Sequence, residues 1–206
     1  ESYMAQPHIF DILVIGGGIN GAGIACDAAG RSLSVILCEQ NDLASATSSA
    51  SSKLIHGGLR YLEYGEFRLV REALLEREVL LAKAPHIIRP MRFVLPHQHT
   101  ARPAWLIRTG LLIYDYMGRN QQLPDSLGLD LSRHPAGQPL KPENRRGFEY
   151  SDCWADDARL VVLNALSAQQ NGARISTHTR VVHAKRAFGR WRVRLENSQT
   201  GDEETV

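Results

Sequence analysis

Gly16, Gly18 and Gly21 stand in the spacing G-x-G-x-x-G inside the stretch VIGGGINGAGIACDAAG. Glycines so placed let the chain turn tightly after a strand, let its backbone approach a pyrophosphate, and let the next helix pack closely on the strand. The helix N-terminus then brings partial positive charge and free N–H groups to the phosphates. Ala25, one helical turn past Gly21, keeps that helix contact tight. Glu39 ends the next apolar run. A carboxylate there accepts hydrogen bonds from a ribose 2′-OH and repels a 2′-phosphate, which disfavours NADP. NAD and FAD share this arrangement, and the loop alone does not separate them. A glycine turn that holds no ligand leaves the complete strand–loop–helix–strand setting unexplained.

A second stretch with chemistry in it is ATSSASSKLIHGGLRYLE, residues 46–63. Thr47, Ser48, Ser49, Ser51 and Ser52 precede Lys53. Small hydroxyl residues let a backbone pass close to a bulky cofactor and offer hydrogen bonds to pyrophosphate or ribityl oxygens. Gly57 and Gly58 allow the chain to lie flat beside a ring system. A nicotinamide enzyme needs no such second cradle, so this stretch favours FAD over NAD. Histidine as a residue type can exchange a proton near neutral pH, which makes His56 a candidate base; it is equally readable as a contact to the cofactor. His86, His97 and His99 lack the further ligands that a metal site requires, and no metal is expected. Asp156 and Asp157 are adjacent and point apart, so they read as the cap and first turn of a helix rather than as paired catalytic carboxylates.

These residues need elements to hold them. HIFDILVIGG reads as a buried strand over 10–15, the glycine stretch as a helix ending near Gly30, and LSVILCEQ as a second buried strand over 33–39. Together they form a βαβ unit. An amphipathic helix follows, stopped by Pro85, then the strand MRFVLP and a more apolar helix, PAWLIRTGLLIYDYMG, interrupted by Arg108 and Asp115. That apolar helix, with Trp105, Tyr114 and Tyr116 near basic residues, reads either as a core helix or as an interfacial membrane anchor. Residues 118–147 are rich in Gly, Pro, Asn and charge and read as loop. A helix closed at Gly172 leads to a strand, then to antiparallel strands over Arg180–Arg186 and Trp191–Glu196, where the chain is expected to stop short of a third.

Composition narrows the class further. A hydrophobic share of 43% supplies a sizeable core, and a formal net charge of +2 gives no reason to expect nucleic acid. No apolar run reaches the roughly 20 residues that span a bilayer. Cys26, Cys38 and Cys153 show no metal or redox spacing and read as buried small hydrophobes in a reduced compartment.

The segments IGGGINGAGIACDAAGRSLSVILCEQNDLASATSSASSKLIHGGLRYLE, FRLVREALLEREVLLAKAPHIIRPMRF and LKPENRRGFEYSDCWADDARLVVLNA closely resemble the FAD-dependent, respiratory glycerol-3-phosphate dehydrogenases of bacteria. Ser32 departs from the Gly that the family often carries after the Arg, with little effect expected. The resemblance implies an α/β fold with a Rossmann-like FAD-binding domain of the amino-acid-oxidase-like, two-domain type, truncated here and carrying part of the substrate domain. The implied divisions are an FAD-binding part over 8–66, a substrate-side insertion over 67–147, and a continued FAD-binding part with the start of a β-meander over 148–206. The implied reaction is oxidation of sn-glycerol 3-phosphate to dihydroxyacetone phosphate by hydride transfer to FAD, with electrons passed to membrane quinone.

By the same resemblance, FAD would be held by Gly16, Gly18, Asn20, Gly21, Glu39, Thr47, Ser48, Ser52, Lys53, Leu54, His56 and Gly57, and the adenine by the backbone of Val181. Arg60 and Tyr61 would face the substrate, Arg60 offering a phosphate its bidentate fork. The implied location is peripheral, on the cytoplasmic side of the inner membrane, with a homodimer possible. The family's enzymes are longer, so this chain alone is expected to bind FAD weakly and not to turn over. The alternatives are a soluble oxidase of the same fold that uses oxygen, an NAD-dependent enzyme, and a non-catalytic flavin-binding fragment.

Overall fold

The computed structural model describes residues 8–97, 102–118, 122–141 and 143–206. The first elements are β1 (Ile12–Ile15), α1 (Ile19–Gly30), β2 (Val35–Cys38) and β3 (Leu54–Ile55). Next come α2 (Phe67–Lys83), β4 (Ile88–His97), α3 (Ala104–Met117), β5 (Leu127–Asp130) and β6 (Arg146–Ala155). The chain continues through α4 (Asp157–Gln170), β7 (Arg174–Ser176), β8 (Thr179–Ala187), β9 (Arg190–Asn197) and β10 (Glu203–Thr205). These elements divide into two compact units, one of residues 1–52 and 156–206, the other of residues 53–155. The sequence reading sets its divisions at 66/67 and 147/148 instead. Pairing of β3 with β6 draws residues 54–55 and 146–155 into one sheet.

The first unit is the βαβ arrangement. β1, β2 and β7 pair in that order, all parallel. β2 is buried along its whole length, as a central parallel strand covered on both faces must be. α1 and α4 pack on small side chains: Ala25 and Ala28 join Val14, Leu37 and Ala168 in one cluster, and Ala22 joins Val161 and Ala165 in another. Asp156 caps α4 by accepting the Arg159 N–H at 3.2 Å, and Asp157 follows in the first turn. β8 and β9 form a hairpin, and their sheet is closed by β10. That short strand pairs Glu203–Thr205 with Arg194–Glu196, so the expectation that the third strand is missing is corrected. Its polar EET sequence carries too little β-branched or aromatic content to announce a strand.

The second unit is built on β6. β4 runs antiparallel along one edge of β6 for ten residue pairs, while β3 and β5 share the other edge. The reading of 118–147 as loop missed β5 and the single turn of 3-10 helix at Pro135–Gly137. Nor was β6 foreseen, because its polar and apolar residues do not alternate. Arg108 and Asp115, which look like interruptions of α3, tie that helix to the chain entering β5. Asp115 accepts the Ser126 N–H at 3.0 Å, and Arg108 donates to the Ser126 carbonyl at 2.9 Å. α3 buries Leu111 and Tyr114 and leaves Trp105, Leu112 and Tyr116 exposed. Among the described residues no helix is long and apolar enough to cross a membrane.

Ser32, just past the end of α1, has φ +65°. The left-handed conformation explains why a glycine suits this position: a side chain there strains the backbone.

Candidate cofactor-binding site

In the first unit a glycine-rich loop joins β1 to α1. Gly16 has φ +107°, a conformation that glycine adopts without strain. At Gly21 a Cβ would collide with the Gly16 carbonyl, so the helix can start this close to the strand only without a side chain there. Gly17 is buried and donates its N–H to Glu39 Oε2 at 2.7 Å. The other oxygen, Oε1, accepts the Asn41 N–H at 2.8 Å. Glu39 is itself fixed by its backbone, donating to the Ser176 carbonyl at 2.9 Å and accepting from Thr179 at 2.8 Å. A carboxylate has about four lone-pair positions, so two remain for a ribose hydroxyl.

The N-terminus of α1 has no side-chain cap from Gly18 and no acidic residue in its first turn. Ser48 reaches the same place from the loop after β2, its hydroxyl accepting the Ile19 N–H at 2.9 Å. A Cβ on Gly18 would come within 3.0 Å of that hydroxyl. The structure thus brings together Gly16, Gly18, Gly21, Glu39 and Ser48. Asn20, Thr47 and Ser52 are exposed. Val181 pairs with Leu195 and packs toward Ile36, with a register shift between Val181 and His183. A bulge of this kind leaves one residue out of the ladder.

The second unit holds the rest of the serine-rich stretch. Lys53 has φ +57°, and its carbonyl accepts the Ala155 N–H at 2.8 Å. Leu54 pairs with Trp154. His56 is exposed, whereas Gly57 beside it is buried and donates its N–H to the Tyr114 hydroxyl at 2.7 Å. After Gly58 the chain makes a 3-10 helix, Leu59–Tyr64, that presents Arg60 and Tyr61 to solvent. His97 lies 2.9 Å from the Arg102 carbonyl through its Nε2, and His99 lies outside the described residues.

Sequence reasoning missed the polar cluster under this segment. Arg77 on α2 is fully buried and donates to Asp152 Oδ1 at 2.7 Å and to Glu78 Oε1 at 3.0 Å. Tyr114 donates its hydroxyl proton to the same Asp152 oxygen at 2.8 Å. Burial pushes the Asp152 carboxyl upward, against hydrogen bonds from Tyr114 and Arg77 that pull it down. The available signal was positional: Arg77 shares the buried stripe of α2 with Val70, Leu74 and Leu81.

Three comparisons bear on this site. The DAO family, FAD dependent oxidoreductase, matches residues 11–206. A glycerol-3-phosphate dehydrogenase of Pseudomonas aeruginosa is 66% identical, over 92% of this chain and 36% of its own length. A D-erythritol 1-phosphate dehydrogenase of Brucella abortus is 62% identical, over 98% of this chain and 40% of its own length. Among solved structures, the glycerol-3-phosphate dehydrogenase of Bacillus halodurans complexed with FAD is similar at a TM-score of 0.68 and 30% identity, covering 96% of this chain and 32% of that one. The chain therefore spans about two fifths or less of the length of these relatives.

Proposed function

We propose a flavin-dependent oxidation for this chain, which belongs to the DAO family of FAD dependent oxidoreductases. The substrate is a polyol phosphate, in the first place sn-glycerol 3-phosphate, and the product is dihydroxyacetone phosphate. The observation that carries the cofactor assignment is the Glu39 carboxylate holding Gly17 beside the N-terminus of α1, whose own first turn carries no acidic residue. The loop's shape is sterically set: a side chain on Gly17 would collide with Leu43 and Glu39, one on Gly21 with the Gly16 carbonyl, and one on Gly18 would crowd the Ser48 hydroxyl.

Bound FAD would supply a two-electron acceptor for the substrate's C2 hydride. In this reading the α1 N-terminus and Ser48 hold its pyrophosphate, and Glu39 holds the adenosine ribose. Lys53, Leu54 and Gly57 line the path of the flavin half, and His56 contacts the ring. Arg60 binds the phosphate of the substrate through two parallel N–H bonds, and Tyr61 helps to orient it. Quinone as electron acceptor, peripheral attachment at the cytoplasmic face of a membrane, and a homodimer follow from the sequence resemblance and belong to the same reading.

A second substrate is supported by a specific observation. The D-erythritol 1-phosphate dehydrogenase is nearly as similar as the Pseudomonas enzyme. Both named substrates are phosphate esters of a polyol, which is the chemistry that Arg60 suits. The test is the visible absorption spectrum of the full chain before and after anaerobic addition of each compound. Flavin bleaching by glycerol 3-phosphate supports the first assignment, and bleaching by D-erythritol 1-phosphate alone replaces it with the second. An absence of flavin after reconstitution with FAD sinks both. Reoxidation by a soluble quinone analogue, compared with oxygen, then identifies the acceptor.

A further inference from the structure

We infer that the buried set Arg77, Asp152 and Tyr114 is a positioning device for the backbone at His56-Gly57-Gly58, an inference that rests on the flavin reading above. Tyr114 is 1% exposed and Asp152 is 3% exposed, and Arg77 is fully buried. The polarity of the chain of bonds is fixed. Asp152 as a carboxylate only accepts, and the Gly57 N–H only donates. The phenol between them must therefore give its proton to Asp152, at 2.8 Å, and turn a lone pair toward Gly57, at 2.7 Å. Burial holds the phenol well above its ordinary pKa, so that proton stays in place. Arg77 completes the set from below, donating also to the Ser151 carbonyl at 3.1 Å.

Stability alone does not call for such a set. A buried ion pair is often replaceable by packed apolar groups at no loss. What an apolar replacement cannot do is hold the Gly57 N–H in one direction. Gly57 is also pressed against the same helices, since a Cβ there would lie 2.5 Å from Leu74 Cδ2 and 2.8 Å from the Tyr114 hydroxyl. The residues on either side are those that the reading assigns to chemistry, His56 before it and Arg60 and Tyr61 after it. The three buried residues touch neither cofactor nor substrate in this account; they act through the backbone of Gly57.

The test uses the full chain loaded with FAD. Tyr114→Phe keeps the ring and removes one oxygen. It is expected to alter the visible circular dichroism of the flavin. It is also expected to slow flavin reduction by glycerol 3-phosphate about tenfold or more, with the half-saturating concentration little changed. Ile88→Val, a buried β4 position outside the set, serves as control: it lowers Tm and leaves dichroism and reduction as in wild type. Tyr114→Phe behaving like Ile88→Val would overturn the inference. Hydrogen exchange at the Gly57 amide of the wild type decides independently of any variant: slow exchange, in step with α2 and α3, supports it, and exchange as fast as an exposed loop overturns it. If wild-type flavin is not reduced by glycerol 3-phosphate, the substrate reading fails instead, and dichroism and exchange still judge the positioning role.

Discussion

Glu39 and Gly17, 22 residues apart in sequence, are joined by a 2.7 Å hydrogen bond that fastens the end of β2 to the glycine-rich loop. The same carboxylate is the group proposed above to hold the ribose, so one side chain would both shape the loop and meet the cofactor. Glu39→Gln presents the two backbone N–H groups with an amide that can accept at only one of its two ends. Leaving a buried donor unsatisfied costs about 1–3 kcal/mol. The expected result is a fall in Tm and FAD affinity weaker by about tenfold to a hundredfold, read by titrating flavin into apoprotein. A variant that loses Tm but binds FAD like wild type would reduce Glu39 to a structural fastening.

His56 divides the two mechanistic readings of the serine-rich stretch. As a contact residue, its replacement by Asn slows flavin reduction modestly. The acid limb of the kcat/KM profile stays in place, because the base that gives rise to it is elsewhere. As the general base, its loss costs about 10²–10⁴ in rate and removes that limb, which reflects protonation of the base as pH falls. The exposed setting of His56, beside an anchored Gly57, favours the first outcome. A pH profile of His56→Asn against wild type checks it.

The glycine-rich loop between β1 and α1 was legible in the sequence because its requirements are local. Gly16, Gly18 and Gly21 are imposed by turn geometry and close packing within a few residues, and Glu39 by the length of one βαβ unit. Asp156 as a helix cap was readable for the same reason. β6 was not, since a strand paired on both edges need not alternate polar and apolar residues when each face meets different neighbours. β10 is three residues long and takes its place from pairing with β9. Asp152 and Tyr114 are 38 residues apart and acquire meaning only when α3 packs beside β6. Arg77 was the one visible clue, a charged residue at an apolar position in a helical stripe.

The three cysteines separate by burial. Cys38 and Cys153 are buried, and burial pushes each thiol up to about 11. At about pH 8 this leaves roughly one thiolate in a thousand, and the thiolate is the reactive form. Cys26 is only partly covered. Native protein treated with a thiol-specific reagent at that pH is expected to label first at Cys26, with Cys38 and Cys153 reacting only after denaturant is added. Peptide mapping that finds Cys38 or Cys153 labelled as fast as Cys26 would contradict the packing of β2 or β6.

Glu204 and Arg174 tie β10 to β7 through two parallel bonds, of 2.7 and 2.6 Å. The Arg174 hydrogen bonds hold the Glu204 carboxyl below its ordinary value of 4.5. Because the folded pKa is depressed, the contribution to stability is present above the unfolded value and is lost as pH falls through the folded one. Both side chains are about two fifths exposed, so solvent screening limits the gain to about 0.5–1 kcal/mol. Glu204→Gln is therefore expected to lower Tm slightly at neutral pH and to match wild type at the acid end, where both forms are uncharged. Added salt should narrow the neutral-pH gap, since exposed pairs are screened. Thermal melts of both proteins from about pH 7 downward, at low and high salt, check this. A gap that persists unchanged into acid would mean that the side chain acts by packing rather than by charge.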